Sequence, residues 1–429
     1  MHEPAAMDER AVAAGYRAWR RRVMIWSIIG YALFYFVRKN LPVAMPVMEK
    51  QLGVTKQSLG LFLTLHGVLY GISKFANGII GDRVSARWFM AAGLLASALL
   101  NVWFGMSSWV VMLGIAWMLN GWVQGVGFPP CARLMTHWFE PRELATKMSI
   151  WNTSHSIGTA GVFVLCGWLV SMWGDWRLCF YVPAALAAAG AILLVIQLPD
   201  TPASVGLPEL ATTQTHDEEK PAASVLRQRV FSNPYIWLIA LANFFVYTIR
   251  YGMLDWGPTM LKETRGIELK QSGLMLAAFE GAGLCGMLAA GWLTDRIFKG
   301  RGARMCLVCM ILCAGSMLLF WRVPQQRVLT STLLLMLSGF FIYGPQALVG
   351  ISVANLATKK AAATAVGLTG IFGYASTVLS GWGLGWLVQH YGWDRAFEGL
   401  MAMAVCGIVV FAAAWPAPAH GYRETNASG

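Results

Sequence analysis

Apolar segments long enough to cross a lipid bilayer recur twelve times along the 429-residue chain. A bilayer core about 30 Å thick requires about 20 helical residues per crossing, and the alternation typical of membrane strands is absent. The sequence therefore predicts an all-α integral membrane protein with twelve transmembrane helices. These lie near 24–45, 60–80, 88–108, 110–131, 149–170, 178–198, 234–258, 272–294, 303–322, 329–353, 363–386 and 396–415.

Composition supports this interpretation. Only 13% of the residues are charged and 57% are hydrophobic, whereas about a quarter of the residues in a soluble protein carry charge. The 45 Gly and 20 Trp residues agree, because both are frequent in membrane helices and at membrane interfaces.

The distribution of Lys and Arg indicates that both termini are cytoplasmic. In that orientation, 19 of the 33 Lys and Arg residues fall in cytoplasmic segments and nine on the opposite side, as the positive-inside rule expects. This topology and anionic lipid headgroups explain the net charge of +12 without nucleic acid binding. The first apolar segment is too long for a cleaved signal peptide. We expect a multi-pass protein of the bacterial inner membrane.

The chain divides into two related halves. Residues 1–198 and 234–429 are each predicted to form a six-helix bundle, and the Pro-, Thr-, Ser- and charge-rich segment 199–233 is predicted to be a cytoplasmic central linker. YFVR at 35–38 in the first half corresponds to YTIR at 247–250 in the second. Such halves predict a major facilitator fold with pseudo-two-fold symmetry, which moves a substrate bound between them near the midplane by alternating access.

Asp-Arg pairs follow the second span of each half, as Asp82 and Arg83 in the first and Asp295 and Arg296 in the second. They suit the major facilitator superfamily. We interpret them as gating or topological elements rather than substrate ligands.

Motifs of enzymes and ATP-driven pumps are absent. No P-loop, GxSxG or HExxH sequence occurs. Cys306 and Cys309 lie inside an apolar span and are interpreted as core residues, because a structural metal site would require four ligands. We therefore expect no enzymatic activity, no metal and no cofactor.

Charged residues within the spans carry the functional hypothesis. A charge at membrane depth costs at least about 2.5 kcal/mol on insertion scales and usually faces a water-filled cavity. Asp255 and Glu280 are the obvious acids, and Arg133 lies near a helix end, from which it can extend to the interface. The buried cations are Arg38, Lys39, Lys74 and Arg250.

Four cations against two acids leave about two positive charges without a counterion. A dianion would balance them, and guanidinium groups match phosphate oxygens bidentately. The alternative is structural, in which either arginine pairs with an acidic residue. Pseudo-symmetry is expected to place Arg38 and Arg250 opposite each other.

Aromatic and histidine residues accompany these cations. Tyr31, Tyr35 and Arg38 have the i, i+4, i+7 spacing of one helix face, which Asn243, Tyr247 and Arg250 repeat. The tyrosine hydroxyl groups can donate hydrogen bonds to phosphate oxygens, although each tyrosine could equally be a residue of the membrane interface.

His155, near the start of the fifth span, could be a satisfied polar residue. It could instead titrate near neutral pH and distinguish mono- from dianionic phosphate.

Several longer motifs resemble the organophosphate:phosphate antiporters of the major facilitator superfamily. That family includes bacterial glycerol-3-phosphate and hexose-phosphate transporters and a hexose-phosphate sensor. The resemblance extends over nearly the whole chain. The motifs are YALFYFVRKN (31–40), GISKFANGIIGDR (71–83), WNTSHSIG (151–158), FVYTIRYGMLDWGPT (245–259), FIYGPQALVG (341–350) and TKKAAATAVGLTGIFGY (358–374).

The resemblance implies roles for the matching residues. Arg38 and Arg250 match the arginines that bind phosphate in the family, while Lys74 and His155 match further binding residues. The residues matching those that exchange salt bridges during gating are Lys39, Asp255 and Glu280. The aromatic positions around the cavity correspond to Tyr31, Tyr35, Tyr70, Tyr247, Tyr343 and Tyr374.

The resemblance implies exchange of inorganic phosphate for a phosphorylated metabolite by a protein expected to be a monomer. The segment 16–39 favours the hexose-phosphate branch and a substrate such as glucose 6-phosphate. The eleventh span, however, lacks the Asp and Lys associated with that branch, and the segment 248–259 is also similar to the glycerol-phosphate branch. A membrane sensor that acts on a histidine kinase is an alternative. A proton-coupled transporter is disfavoured, because the first six spans contain no acid.

Overall fold

The computed structural model describes residues 9–81, 83–210, 226–357 and 361–421. These residues form helices joined by short connections and contain no β-strand, which agrees with the predicted all-α class. The helices are α1 Glu9–Phe36, α2 Leu41–Leu52, α3 Lys56–Gly81, α4 Ala86–Met106, α5 Val110–Gln124, α6 Phe128–Trp138, α7 Pro141–Asn152, α8 Ser154–Trp173, α9 Leu178–Gln197, α10 Pro234–Arg265, α11 Leu269–Phe298, α12 Gly302–Arg322, α13 Val328–Ala357, α14 Ala362–Ala375 and α15 Leu384–Ala413.

Ten stretches of the described helices are long and apolar enough to cross a membrane. One of them, Thr364–Ala413, covers both the eleventh and the twelfth predicted spans. Gly392, with φ 79° and ψ 179°, interrupts the helical backbone between those two spans. The first predicted span, in which the helix is broken, has no matching stretch among these ten. Ten stretches are therefore compatible with twelve crossings. Large outward-facing apolar side chains, such as Leu288 at 70% exposure, suit a lipid surrounding.

The first predicted span, 24–45, is not one continuous helix. Helix α1 ends at Phe36, and α2 begins at Leu41. Pro42 lacks an N–H group, and in a continuous helix its ring would clash with the carbonyl of residue 38. Arg38 therefore lies in a turn beyond α1. The expected common helical face of Tyr31, Tyr35 and Arg38 is corrected accordingly.

Backbone contacts divide the chain into two compact units, which differ from the predicted domains. Unit one contains the described residues of 1–40, 72–162 and 177–217, and unit two contains those of 41–71, 163–176 and 218–429. Parts of the predicted first half thus pack within unit two. The predicted domain boundaries at 198 and 234 stay predictions.

Within unit two, α3 of the predicted first half packs closely on the π-helical turn Val378–Gly383 of the second half. The hydroxyl of Thr64 donates to the carbonyl of Thr377 at 2.7 Å and accepts from the backbone N–H of Trp382 at 2.8 Å. A Cβ added to Gly381 would lie 2.5 Å from the Thr64 hydroxyl oxygen. These backbones approach each other as closely as glycine allows.

A polar cluster holds the helix ends in the same unit. The ammonium group of Lys56 lies 2.5 Å from a carboxylate oxygen of Glu49 and 3.0 Å from one of Glu263. The backbone N–H of Lys56 donates to Gln389, and the indole of Trp393 donates to Glu263. Residues of the predicted first half are thus joined to the second half by ion pairs as well as by packing.

The first part of the predicted linker 199–233 packs against the core of unit one. A short 3₁₀ turn, Ala203–Val205, is followed by Leu207, which packs against the core of unit one. The carbonyl of Pro208 accepts a hydrogen bond from the hydroxyl of Tyr16. The middle of the linker, 211–225, lies outside the described residues.

Candidate functional site

Side-chain amides in unit one hold the turn that carries Arg38. The carbonyl of Val37, at the break after α1, accepts hydrogen bonds from Asn101 of α4 at 3.0 Å and from Asn120 of α5 at 2.8 Å. Asn40 donates to the side chain of Asn101 and to the carbonyl of Cys179, both at 2.8 Å. The amides therefore satisfy backbone and side-chain groups that a helix break would otherwise leave buried without partners.

A second layer of hydrogen bonds fixes these amides. The hydroxyl of Ser97 donates to Asn120 at 2.5 Å and accepts from Gln124 at 2.8 Å. Asn101, Asn120 and Ser97 are almost fully buried. A buried network of connected hydrogen bonds of this kind restrains its members to one arrangement.

Arg38 and Lys39 lie in this turn and are each 8% exposed. The guanidinium carbon of Arg38 is 5.3 Å from the ring centroid of Tyr35, within cation–π distance. The backbone N–H groups of both residues donate to the carbonyl of Tyr35.

The predicted binding residues of unit one are connected through aromatic contacts. Tyr31 lies 5.5 Å from Tyr35 and 4.6 Å from Trp151 between ring centroids. The ring of His155 is 5.9 Å from that of Tyr35. His155 also contacts the carbonyl of Asn152, and its Nε2 lies 3.3 Å from the hydroxyl of Ser156.

Lys74 joins the same cluster from α3. Its ammonium nitrogen lies 4.3 Å from the ring centroid of Phe128, and the rings of Phe128 and Trp151 are 5.7 Å apart. The structure thus connects four of the predicted residues, Arg38, Tyr31, Tyr35 and His155, with Lys74 through Phe128 and Trp151.

In unit two, Arg250 lies within the unbroken helix α10 and is 5% exposed. Its Nη2 donates to the hydroxyl of Tyr343 at 2.7 Å and lies 3.7 Å from Oε1 of Glu280. The Tyr343 hydroxyl donates in turn to Glu280, which is fully buried. Pairing of an arginine with an acid, left open by the sequence, is therefore what the structure shows for Arg250.

Tyrosine rings extend this cluster. The ring centroids of Tyr70 and Tyr374 are 5.1 Å apart, and those of Tyr374 and Tyr247 are 6.4 Å apart. Tyr247 lies 5.3 Å from Tyr251, whose ring is 5.7 Å from the guanidinium carbon of Arg250. All four of the predicted tyrosines in unit two belong to one continuous cluster with Arg250.

The other predicted residues occupy both buried and exposed positions. Asp255 is buried in α10. Arg133 donates to the carbonyls of Gly81 and Val84 at the end of α3, and its predicted extension to the interface stays a prediction. Arg83, Asp295 and Arg296 are exposed, whereas Asp82 lies outside the described residues.

The sequence analysis missed Asn40, Asn101 and Asn120, and also Tyr251. The available signal was the position of the three asparagines: each is a polar residue inside or next to an apolar segment. Such residues need a partner when buried.

Comparison with known families identifies the class of this protein. Residues 27–381 match the profile of the Major Facilitator Superfamily, and the chain belongs to that family. This confirms the predicted superfamily and agrees with the expectation that the chain is a transporter-type membrane protein rather than an enzyme.

Curated relatives match over nearly the whole chain. A probable hexose phosphate transport protein of Chlamydia pneumoniae is 38% identical and is aligned over 97% of this chain and 96% of its own length. The glycerol-3-phosphate transporter of Bacillus subtilis (strain 168) is 37% identical over 95% of both chains. The membrane sensor protein UhpC of Salmonella typhimurium is 35% identical over 92% of this chain and 91% of its own.

A solved structure supports the fold. A bacterial homolog of the human lysosomal transporter Spinster superposes with a TM-score of 0.73 at 14% identity, covering 92% of this chain and 95% of that chain. The predicted major facilitator fold is thereby confirmed.

Proposed function

We propose that this protein exchanges inorganic phosphate for a phosphorylated metabolite, specifically a sugar phosphate such as glucose 6-phosphate. Alternating access moves the substrate across the membrane. The observation that carries the proposal is the burial of Arg38 and Arg250, at 8% and 5% exposure, inside a chain whose relatives are named as transporters of hexose phosphate and glycerol 3-phosphate.

Both arginines are proposed to bind the phosphate group, with Lys74 and His155 as additional ligands. Charge-assisted hydrogen bonds to oxyanions are about twice as strong as neutral ones, and the guanidinium fork fits two oxygens at once. The tyrosines named above are proposed to surround the ligand and to donate hydroxyl groups to it.

Arg250 already has an anionic partner that a phosphate ion could replace. Its guanidinium contacts Tyr343 and Glu280, so an incoming phosphate would replace a carboxylate with an oxyanion of greater charge. Glu280, Asp255 and Lys39 are therefore proposed to rearrange their ion pairs as the two halves move. Such a rearrangement would couple ligand binding to the conformational change.

The cytoplasmic placement of both termini, a bacterial inner membrane and a monomeric state also belong to this proposal. The excess of Lys and Arg in the segments assigned to the cytoplasm supports the orientation.

A counterflow assay tests the proposed exchange. Proteoliposomes loaded with phosphate are expected to accumulate labelled glucose 6-phosphate or glycerol 3-phosphate, because outward movement of phosphate drives the exchange. Uptake is measured with and without internal phosphate for a panel of phosphate esters and for unphosphorylated glucose. Lack of counterflow with every ester would refute transport, and uptake of glucose itself would refute phosphate recognition.

The relationship to a membrane sensor protein favours one alternative function. In this alternative, which follows from the family resemblance described above, the protein binds hexose phosphate as a signal to a histidine kinase. The same preparation distinguishes the two. A sensor would bind the ester measurably by calorimetry yet show no exchange in proteoliposomes.

The asparagine network gives a second prediction. Asn101→Ala removes one donor to the carbonyl of Val37 and the acceptor for Asn40. A buried group left unsatisfied costs about 1–3 kcal/mol, and the Arg38 turn should loosen. We expect phosphate affinity to fall about fivefold or more, measured by calorimetry, although no charge is changed.

Ser316→Ala is the matched control, because it removes a buried hydrogen bond to Ser338 elsewhere, in α12. It should lower the melting temperature without changing affinity. Equal affinity in Asn101→Ala and wild type would show that the network stabilises the fold only.

A further inference from the structure

A basic cavity lies where α11 meets α12, on the side of the chain predicted to be cytoplasmic. Its volume is about 730 Å³, and its lining includes Lys299, Arg301, Arg304 and His420. Among the residues that the structure describes, no Asp or Glu belongs to the lining. The cavity lies wholly within unit two and has no part in the phosphate site proposed above.

The backbone builds this cavity. Helix α11 ends at Phe298, the next residue Lys299 has left-handed φ and ψ of 49° and 47°, and Gly300 follows with φ of 80°. The backbone N–H groups of both residues donate to the carbonyl of Thr294. Left-handed geometry is rare for a residue with a side chain. The turn brings Lys299 and Arg301 to the same opening before α12 begins at Gly302.

The segment after α15 forms the opposite wall. Arg304 donates to the carbonyl of Trp415 at 3.2 Å, and its guanidinium carbon lies 4.9 Å from the indole ring. Arg229 donates to the carbonyl of Gly421 at 2.8 Å, and the backbone N–H of Gly421 donates to Asn355. The wall that carries His420 is therefore attached to the body of the unit.

Charge and apolar surface occur together here. Lys299, Arg301 and Arg304 contribute three formal positive charges around one cavity. Ile297, which is 61% exposed, and Phe298 also belong to its lining. Basic pockets on the cytoplasmic side of membrane proteins bind anionic headgroups, and exposed apolar side chains beside them suit acyl chains.

We propose that this cavity is a binding site for a phosphate-bearing anion, and that its occupant is the headgroup of an anionic phospholipid. Lys299 and Arg301 bind the phosphate oxygens, Arg304 completes the positive surface, and Ile297 and Phe298 contact the acyl chains. The proposal does not depend on what the protein transports.

Native mass spectrometry of the full chain in detergent tests this site. Phosphatidylglycerol, cardiolipin and phosphatidylcholine are titrated onto wild type and onto Lys299→Asn/Arg301→Gln. Asn tolerates left-handed geometry, so the turn should be retained. A Lys or Arg close to the bound headgroup contributes about fivefold to anionic lipid binding, so we expect about 25-fold weaker binding of both anionic lipids when both cavity residues are replaced. Phosphatidylcholine binding should be equal in both proteins.

The matched control is Arg21→Gln/Arg227→Gln, which removes two exposed charges outside the cavity and should bind anionic lipids as wild type does. The single variant Arg301→Gln and melting temperatures show whether a loss of binding reflects unfolding. Equal loss in the control pair, or no loss in the cavity pair, would overturn the proposal.

Inorganic phosphate distinguishes the two sources of the anion. We expect millimolar phosphate to leave lipid binding unchanged. Displacement of the lipid by phosphate in wild type would overturn the lipid assignment in favour of a free phosphate ion.

Discussion

Replacing Arg38 with lysine is expected to weaken phosphate binding about tenfold to a hundredfold, although the charge is kept. The planar guanidinium offers two parallel donors to an oxyanion, whereas an ammonium group is a point charge. Loss of one charged hydrogen bond costs about 1.5–3 kcal/mol, and about 1.4 kcal/mol corresponds to a tenfold change in affinity. Calorimetric titration with phosphate and with glucose 6-phosphate measures the effect, and exchange in proteoliposomes should fall in parallel.

Arg21→Lys is the control for this substitution, because Arg21 is exposed on α1 and should tolerate the change. The melting temperature of Arg38→Lys should stay close to that of wild type, since the aromatic contact to Tyr35 suits either cation. Unchanged phosphate affinity in Arg38→Lys would exclude bidentate recognition by this residue.

The helices were predictable because hydrophobicity and length alone define a membrane crossing. The break between α1 and α2 was not predicted, although Pro42 and Pro46 signal it, because apolar residues continue on both sides. The kink at Gly392 lies between the eleventh and twelfth predicted spans, so the predicted boundaries of those spans agree with it. The packing of residues 41–71 within unit two depends on contacts between distant parts of the chain, which no local pattern reveals.

The candidate site was predictable to the extent that charge is rare at membrane depth. Arg38, Lys74 and Arg250 stand out in apolar segments. The structure places predicted tyrosines beside Arg38 and Arg250, whereas Lys74 contacts Phe128, which was not predicted. The pairing of Arg250 with Glu280 could not be chosen over other pairings, because the sequence does not say which spans are neighbours. The roles of these residues in ligand binding stay predictions.

The roles of the Asn101 and Asn120 amides were not predicted from the sequence, for a physical reason. A neutral amide hardly changes the hydropathy of a span, and its importance depends on the partner that it meets. Here that partner is the carbonyl of Val37, which becomes available only because the helix breaks. The asparagine network and the helix break therefore depend on each other, and neither could be predicted without knowledge of the other. In the second half, α10 continues through Arg250, so no equivalent network is needed there.

A disulfide between positions 64 and 377 is expected to inhibit exchange strongly. Thr64 and Thr377 belong to the predicted first and second halves, yet they exchange hydrogen bonds at 2.7 and 3.5 Å. Alternating access requires the halves to move against each other, so these contacts must separate in each cycle. The variant Thr64→Cys/Thr377→Cys is built together with Cys285→Ala, because Cys285 is exposed. Its counterflow activity should fall at least about tenfold on oxidation. Reduction should restore it.

A disulfide inside one half provides the control. Ser316 and Ser338 lie 2.9 Å apart through their hydroxyl oxygens, on α12 and α13 of the second half. Ser316→Cys/Ser338→Cys, with the neighbouring Cys313 changed to alanine, should transport at the same rate before and after oxidation. Mass spectrometry of the intact protein confirms each disulfide. Full exchange by the oxidised 64–377 variant would mean that these residues stay together throughout transport, and that the halves move about some other boundary.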